Sequence, residues 1–209
     1  MPEFIRKFAV CTALLLVLTV SQGAAAAPGP QDAGRFVKQL GNMAIEALTA
    51  KGISAADRES RFRVLLRQSF DVKRIGRFVL GRYSRDLNPA LAQEYQNLFE
   101  DLIVATYAAQ FAEYSGQSFV IKRVIKPKGR RDSIVLSEIR PADGGPVIRV
   151  DWQVHDKSGD YKVVDVRVEG VSMSITQRDE FTAVIRKNNG NFDSLMVALR
   201  KKSASLKSH

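Results

Sequence analysis

Residues 151–181, DWQVHDKSGDYKVVDVRVEGVSMSITQRDEF, decide the fold of this 209-residue chain. Apolar and polar side chains alternate through residues 148–154 and again through residues 164–169, which predicts two strands with one apolar face each. Between them, residues 156–160 have the composition of a tight turn. The end of the stretch has the pattern of a helix start. It therefore predicts a hairpin that leads into a helix.

The alternation changes phase at Gly170. Valine occupies every second position from 164 to 168, whereas after the glycine the apolar set is Val171, Met173 and Ile175. We predict a bulge or a sharp bend at this glycine, inside one long strand over residues 161–174. A sheet bent in this way can curl around a cavity instead of lying flat.

The strand pattern extends upstream of this stretch, from the point where the apolar period changes to two after Gly116. Short turns containing glycine, proline or aspartate separate the segments. The predicted strands are residues 119–126, 133–139, 147–155 and 161–174. Four strands joined by short turns form an antiparallel meander.

Helical periodicity fills the rest of the chain, and Ser54, Asp71 and Asn88 have the chemistry of helix N-caps. The predicted helices are residues 36–51, 54–69, 71–81, 88–114, 177–187 and 192–201. The fourth has an apolar stripe along its whole length, about 39 Å at 1.5 Å per residue. We therefore predict one α+β domain over residues 27–209, a four-stranded antiparallel curved sheet packed with several helices. Its C-terminal tail is expected to be flexible from about residue 202.

The N-terminus predicts export. Arg6 and Lys7 precede an apolar run at residues 8–20, and the small residues at 21–27 suit a signal peptidase. We place the signal peptide at residues 1–26, with periplasmic localisation; an uncleaved membrane anchor is the alternative. The apolar run is short for a bilayer span, which needs about 20 residues.

The mature chain is basic and contains no cysteine. Cys11 is the single cysteine of the sequence, and it lies in the leader. Cleavage after residue 26 leaves 183 residues, and the loss of Glu3, Arg6 and Lys7 lowers the net charge from +10 to +9. In an exported protein, this charge suits anionic lipid headgroups or an acidic protein face better than nucleic acid. An ordinary solvated basic surface is the alternative.

The sequence offers few groups for catalysis. His155 and His209 are the only histidines, and His155 is expected to have a surface role on the polar face of a strand. No Ser-His-Asp set, metal-ligand spacing or phosphate-binding loop is present, so no metal and no cofactor are predicted. Asp165 and Glu169 are the most arguable carboxylate pair for acid–base chemistry. More often such a pair belongs to a solvated strand face, here with Arg167 between them.

A set of short motifs, in order along the chain, resembles the MlaC family of periplasmic phospholipid-binding proteins, also called toluene-tolerance auxiliary proteins. The motifs are Phe70-Asp71 with Ile75, Leu80-Gly81-Arg82-Tyr83, Asn88-Pro89, Tyr107, Tyr114-Ser115-Gly116, Val150-Asp151-Trp152, Tyr161 to Val166, Glu169-Gly170-Val171-Ser172, Arg178-Asp179-Glu180-Phe181, and Phe192 with Leu195 and Leu199. Two departures are Tyr83 and Tyr161, where tryptophan is frequent in the family; both keep an aromatic ring.

The resemblance implies a cone-like α+β fold around an elongated apolar pocket, with no enzymatic activity. The bound lipid is cargo, with its acyl chains in the pocket and its headgroup near the mouth. The implied partners are phospholipid, an inner-membrane ABC transporter complex and an outer-membrane lipoprotein complex, between which the family shuttles lipid. A branch associated with hopanoid biosynthesis is an alternative assignment, with a polycyclic lipid as cargo. A pocket enzyme that uses Asp165 and a structural adaptor with a filled core are the alternatives from other classes.

Apolar residues of the helices and of the sheet are expected to line the pocket. They are Phe78, Val79, Phe99, Leu102, Ile103, Tyr107, Phe111, Val150, Trp152, Val164, Val166, Val171 and Met173. Periodicity alone favours an ordinary core for the same residues, because a core and a pocket wall have the same pattern.

Two groups of basic residues are candidates for contact with headgroups or with an acidic partner. One lies on and around the hairpin of the first two strands: Lys122, Arg123, Lys126, Lys128, Arg130 and Arg131. The other lies around the third helix: Arg74, Arg77, Arg82 and Arg85. Within these groups we single out Arg82, Lys128, Arg130 and Arg131.

Overall fold

The computed structural model describes residues 30–85 and 87–207. The predicted signal peptide, the three residues after it and His209 lie outside the described residues. The helices are α1 Pro30–Leu48, α2 Ala55–Ser69, α3 Val72–Leu80, α4 Pro89–Tyr107, α5 Met173–Lys187 and α6 Asp193–Lys207. Short 3₁₀ helices follow α3 at Gly81–Ser84 and α4 at Ala108–Glu113.

One antiparallel sheet lies between α4 and α5 in the chain. Its strands are β1 Ser118–Ile125, β2 Asp132–Arg140, β3 Ile148–Lys157, β4 Asp160–Val168 and β5 Val171–Ser172. They pair in chain order, as a meander. The predicted α+β class is confirmed, with five strands in place of four because the expected last strand is two.

The phase change at Gly170 is a hairpin turn, so the predicted bulge or bend within one strand is wrong. Glu169 and Gly170 have φ values of 49° and 82°. Positive φ at both central residues is typical of a two-residue turn between antiparallel strands. β5 then pairs Val171 with Val168, and the chain enters α5 at Met173. The apolar residues after the turn therefore follow a helical path.

The irregularities that bend the sheet lie elsewhere. The register shifts between Ile121 and Arg123 where β1 pairs with β2, and between Gln153 and Val154 where β3 pairs with β4. Such bulges increase the local twist of a sheet. Neither position has a glycine to mark it in the sequence.

The predicted N-caps are confirmed by their hydrogen bonds. The side-chain oxygens of Ser54, Asp71 and Asn88 accept from backbone N–H groups three residues onward, at 3.0, 3.0 and 2.8 Å. Ser172 caps α5 in the same way, accepting from the N–H of Ile175 at 3.2 Å. This cap explains why α5 begins at Met173, earlier than the predicted residue 177.

Other helix ends also differ from prediction. α1 begins at Pro30, six residues before the predicted start. α4 ends at Tyr107, not at residue 114; the Thr106 hydroxyl donates to the carbonyl of Leu102 at 2.7 Å, a bond that weakens the last turn. α6 is helical to Lys207, so the tail from residue 202 is part of a helix; the Ser203 hydroxyl, which is buried, donates to Asp101 of α4.

Helices α3, α4, α5 and α6 enclose a solid core. Tyr95 and Phe99 stack with ring centroids 5.7 Å apart, and Phe181 meets both rings edge-on at 6.3 Å. The Tyr95 hydroxyl donates to the carbonyl of Gly76 at 3.0 Å, which satisfies the one polar group of this aromatic set. We call this the helical core; Ile185 and Leu195 also belong to it.

Helix α1 lies close against one face of the sheet. A Cβ at Gly34 would come within 2.8 Å of a Val124 methyl, and one at Gly41 within 2.5 Å of the Phe119 ring. The two glycines therefore allow the helix backbone to approach β1 closely. Beneath it, Ala33 and Val37 of α1 are buried with Val135 and Val154 of the sheet. We call this side of the sheet the α1 face.

Candidate functional site

The α1 face continues beyond the part that α1 covers. Residues that pair directly on neighbouring strands share a face of the sheet. Two such rows cross β2, β3 and β4 on the α1 face: Val135, Trp152 and Val166, then Ser137, Val150 and Val168. The buried cluster beneath α1 includes Trp152 at its margin but neither Val166 nor Val168, which remain half-buried. An apolar strip is thus left open towards β4.

The C-terminal end of α4 lies over the edge of this strip. The pairing of Arg167 with Ser172 places Met173 beside Val166 at the sheet edge. The Tyr107 hydroxyl lies 3.8 Å from the Met173 sulfur. Burial, and to a lesser degree the charge of Glu180, raises the pKa of Tyr107. The hydroxyl is therefore neutral and sits in a partly dry, apolar setting.

These side chains define a candidate apolar cleft. Val150, Val166, Val168, Tyr107 and Met173 belong to none of the three buried clusters found among the described residues. The principal contacts of α4 are with α2, α3, α6 and its own 3₁₀ continuation, not with the sheet. The contact of Tyr107 with Met173 brings the end of α4 to the apolar side of the sheet, so these side chains are candidates for lining a site for an apolar ligand.

The polar edge of Trp152 is satisfied inside the sheet. Its indole N–H donates to the Ser137 hydroxyl at 2.9 Å, and that hydroxyl donates to the Val150 carbonyl at 2.6 Å. The ring also meets Phe119 edge-on at 6.0 Å. These hydrogen bonds satisfy the one polar group of the indole and fix the ring between the α1 cluster and the cleft. The ring therefore presents only apolar surface there.

The structure disperses the other residues predicted for the pocket wall. Val79 and Phe99, 0% and 1% exposed, lie in the helical core, and Leu102 packs against it. Ile103 packs against both this core and the cluster between α2 and α4. Phe111 meets Phe62 of α2, with ring centroids 6.0 Å apart. These side chains have protein partners where the prediction placed lipid.

Three more predicted wall residues lie near the sheet edge or on the surface. Val164 occupies the bulge of β4 and is buried. Val171 is exposed on β5. Phe78 is 44% exposed on α3, where it lines a separate surface groove. Their role in lipid binding stays a prediction.

That groove runs between α3 with its 3₁₀ continuation and α5, and its volume is about 710 Å³. Its lining combines apolar side chains with arginines: Phe78, Leu80, Arg82, Tyr83, Ile175, Arg178, Asp179, Thr182, Ala183 and Arg186. The guanidinium carbon of Arg178 lies 5.3 Å from the centre of the Phe78 ring, and that of Arg82 lies 4.9 Å from the centre of the Tyr83 ring. We call it the α3–α5 groove.

The predicted basic groups are partly neutralised. Lys122, Lys126 and Arg74 each lie 3.6 Å from a carboxylate, of Glu138, Asp156 and Asp132 respectively. In contrast, Lys128, Arg130 and Arg131 are exposed in the turn between β1 and β2. Arg82 lies on the wall of the α3–α5 groove.

Asp165 anchors the start of α5. It accepts hydrogen bonds from the Ser172 hydroxyl at 2.7 Å, from the Ser174 N–H at 3.2 Å and from the Ser174 hydroxyl. Arg167 lies 3.6 Å away. Glu169 has a separate partner, Arg149, whose backbone and side-chain N–H groups lower the pKa of the Glu169 carboxyl. The two carboxylates therefore stabilise local structure separately and do not form a catalytic pair.

His155 is part of a polar network on the opposite face of the sheet. Its Nδ1 lies 2.6 Å from Asp132, which also accepts from Gln153 at 2.8 Å and faces Arg74. Partial burial acts to raise the pKa of Asp132, but the bonds from His155 and Gln153 and the charge of Arg74 lower it overall. His155 therefore lies on the polar face of the strand, as predicted, where the network holds its ring half-buried.

Two further features are absent from residues 30–85 and 87–207. No group of three or more histidine, cysteine, aspartate or glutamate side chains is placed to hold a metal ion in this part of the chain. No helix of the described ranges has the length and apolar composition to span a bilayer.

Sequence reasoning missed the α5 wall of the groove. Arg178, Thr182 and Arg186 recur every four residues, a spacing that places them on one side of a helix. This signal was present in the sequence. Their proximity to Phe78 was not, because about one hundred residues separate the two walls in the chain.

The architecture defines a class: an α+β protein in which a solid helical core adjoins an antiparallel meander with an open apolar strip. The family model of the MlaC protein matches residues 38–201. This chain therefore belongs to the MlaC family, which confirms the resemblance seen in the sequence.

Two relatives illustrate the similarity. The toluene tolerance protein ttg2D of Pseudomonas putida is 25% identical over 112 residues, which are 54% of this chain and 51% of that protein. The match thus spans about half the length of that relative. A solved structure, the phospholipid-binding protein from Ralstonia solanacearum in complex with a phospholipid, superposes with a TM-score of 0.72 at 24% identity. The superposition covers 84% of this chain and 99% of the solved chain, so the two proteins share a fold.

Proposed function

We propose that this protein is a periplasmic carrier that holds phospholipid acyl chains in the cleft between the β4 side of the sheet and the C-terminal end of α4. The observation that supports this most is the shared fold with a protein solved in complex with a phospholipid. Val150, which is buried, and Val166 and Val168, which are half-buried, supply apolar side chains of the right chemistry. The lipid is cargo, and no cofactor is needed.

Acyl-chain energetics favour a carrier that only binds. Each CH₂ moved from water into an apolar site contributes about 0.8 kcal/mol, so two chains of about 16 carbons would cost roughly 25 kcal/mol to expose. The same chains are nearly as stable in a bilayer. Transfer from membrane to protein is therefore close to neutral, and the direction of transport is set by the proteins at each end.

The proposed route runs between an inner-membrane ABC transporter complex and an outer-membrane lipoprotein complex. A signal peptide at residues 1–26 would deliver the protein to the space between them. Arg82 and the exposed turn residues Lys128, Arg130 and Arg131 are our candidates for contact with the lipid headgroup or with these complexes. The protein is not an enzyme in this proposal. In support, the Asp165 carboxylate is engaged in hydrogen bonds that hold the start of α5.

The decisive experiment is solvent extraction of the purified mature protein, followed by lipid mass spectrometry. A carrier yields phospholipid at a fixed ratio to protein. Recovery of a hopanoid would keep the carrier mechanism and change its cargo. If extraction, and incubation with phospholipid vesicles, both leave the protein free of lipid, the proposal is wrong and a filled core explains the apolar strip.

The turn between β1 and β2 has a separate test. We expect lipid transfer to slow as salt rises, because exposed charges act over a Debye length of about 8 Å at physiological ionic strength. Replacing Arg130 and Arg131 by glutamine should remove part of this salt dependence. The matched control replaces Lys38 and Lys51, on and after α1, and should leave the dependence nearly intact. If the transfer rate changes neither with salt nor with the arginine replacement, Arg130 and Arg131 do not contact the headgroup or a partner complex.

A further inference from the structure

The α3–α5 groove holds arginines that lack ion-pair partners. Several arginines elsewhere do have carboxylate partners: Arg63 lies 2.7 Å from Glu100, and Arg200 lies 2.6 Å from Glu94. Arg82, Arg178 and Arg186 form no ion pair within 4.0 Å with the acidic side chains that the structure describes, although Asp179 lines the same groove. The groove therefore has an excess of positive charge that an external anion would complement.

The arginine side chains are held in place by other contacts. Arg178 lies over the Phe78 ring and also packs against Gly81, where an added Cβ would come within 3.0 Å of its guanidinium. Arg82 lies over the Tyr83 ring and donates to its hydroxyl at 2.9 Å. Because stacking leaves N–H donors of a guanidinium group free, both side chains are oriented before any ligand arrives.

The groove also exposes large apolar side chains. Phe78 and Ile175 line it and are 44% and 50% exposed. The groove thus combines exposed apolar side chains with arginines. This combination matches the interface of a bilayer, where phosphates lie just above the acyl boundary. An acidic protein segment would complement the charge but would not account as well for the exposed phenyl and isoleucine side chains.

We infer that the α3–α5 groove docks the protein on an anionic phospholipid bilayer, with phosphates at Arg178 and Arg186 and with Phe78 and Ile175 at the acyl boundary. The inference rests on the proposed carrier function, for which it supplies the membrane contact. The first turns of α5 join the two sites: Met173 lies at the cleft, and Ile175 and Arg178 line the groove. Docking therefore places the N-terminal end of α5 at the lipid surface, and Met173 of the cleft lies on another side of the same helix turn.

The test is vesicle flotation of the full mature protein. One set of vesicles contains phosphatidylcholine alone, and the other contains equal parts of phosphatidylcholine and phosphatidylglycerol. The wild type should bind the anionic vesicles more tightly. Replacing Arg178 and Arg186 by glutamine should weaken that binding about 25-fold, since each arginine near an anionic surface contributes about fivefold. Replacing both by lysine keeps the charge and should retain most of the binding.

The control is the Lys38→Gln and Lys51→Gln double variant, which removes the same charge from the α1 side of the molecule. It should lose several times less affinity than the groove variant. Equal losses, or equal binding to both kinds of vesicle, would overturn the inference. Absence of wild-type binding would also overturn it and would assign the groove to another anion, such as an acidic protein.

Lipid extraction from the same variants separates the two proposals. The groove variant should keep the lipid occupancy of the wild type, because neither arginine lies in the cleft. A protein that binds anionic vesicles but never contains extractable lipid would disprove the carrier function alone. If the protein contains lipid but the Arg178 and Arg186 variant binds vesicles as well as the wild type does, the docking surface alone is disproved.

Discussion

Phe99 and Tyr107 lie about two turns apart on α4, yet their surroundings differ. Phe99 is 1% exposed and is enclosed by Tyr95 and Phe181 of the helical core. Tyr107 is half-buried, and its hydroxyl lies beside Met173 at the open strip of the sheet. One helix thus supplies an aromatic ring to a filled core and another to a candidate ligand cleft.

The difference shows what distinguishes a core from a cleft in this fold. Around Phe99, four helices present apolar faces to one another, and the space between them is filled. Around Tyr107, the helix has ended, and the chain leaves α4 before its apolar side can pack against the sheet. The candidate cleft therefore lies where α4 ends before its apolar side can pack against the sheet.

The largest effect is expected for Phe99→Ala. Removing a fully enclosed ring leaves a cavity, which should lower the free energy of unfolding by about 3–5 kcal/mol. Urea denaturation of lipid-free protein measures it. Tyr107→Ala is the counterpart on the cleft side and should cost clearly less. A similar loss for the two variants would mean that the region around Tyr107 is as solid as the helical core.

A smaller effect is expected for Gly41→Ala at the covered part of the α1 face. In an exposed helix this change would stabilise by about 1 kcal/mol through helix propensity. Here the new methyl group would meet the Phe119 ring, and α1 would have to move, at a cost of about 1–3 kcal/mol. The sign of the change in thermal stability therefore shows whether the clash with Phe119 outweighs the gain in helix propensity. Stabilisation would show that α1 does not lie tightly on β1.

The polar face of the sheet provides a comparison with a different driving force. The pKa of Asp132 is lowered in the folded protein. Its ionised form therefore stabilises the fold above the unfolded pKa of about 3.9, and this contribution is lost as the pH falls through the lower folded value. Asp132→Asn should cost roughly 1 kcal/mol near neutral pH and nothing at pH values below both pKa values.

Urea denaturation of wild type and Asp132→Asn over this pH range measures the prediction. Glu94→Gln is the control, because its partner Arg200 lies on an exposed helix surface and the pair should contribute less. A difference between wild type and Asp132→Asn that stays constant with pH would contradict the assignment to an ionised carboxylate.

The smallest effect on stability is expected for Val166→Trp. If the strip is open, the larger ring enters the cleft, and lipid-free stability changes by less than about 1 kcal/mol while lipid occupancy falls sharply. If the region is a filled core, overpacking should cost about 1–3 kcal/mol. Val197→Trp on the exposed face of α6 is the matched control and should alter neither quantity. Full occupancy in the Val166 variant would place the lipid elsewhere.

Much of the fold could be predicted because local chemistry specifies it. The β3–β4 hairpin followed from alternation and from the turn at Ser158 and Gly159, both of which have positive φ. The caps at Ser54, Asp71 and Asn88 followed from side chains that bond their own helix starts. The end of α4 did not, because the apolar stripe continues through Phe111 into the 3₁₀ helix while the backbone changes its hydrogen bonding.

The candidate site was predicted only in part, for a physical reason. Of the predicted wall residues, Val150, Trp152 and Val166 share one face of the sheet, and Tyr107 contacts Met173 where β5 passes into α5. Their contact with lipid remains a proposal. The remaining members have other partners or lie on the surface. Periodicity indicates which side of a helix or strand is apolar. It does not indicate whether that side packs against other protein side chains or lines a ligand cavity.

By itself, the sequence determined the class, the order of the elements, most helix starts and the family, since these depend on neighbours in the chain and on ordered motifs. Tertiary structure alone decided which apolar residues fill the helical core and which are left at the candidate cleft. It also brought Phe78 of α3 to Arg178 of α5. The reason is that burial and charge neutralisation depend on which surfaces meet, and segments distant in the chain form those surfaces.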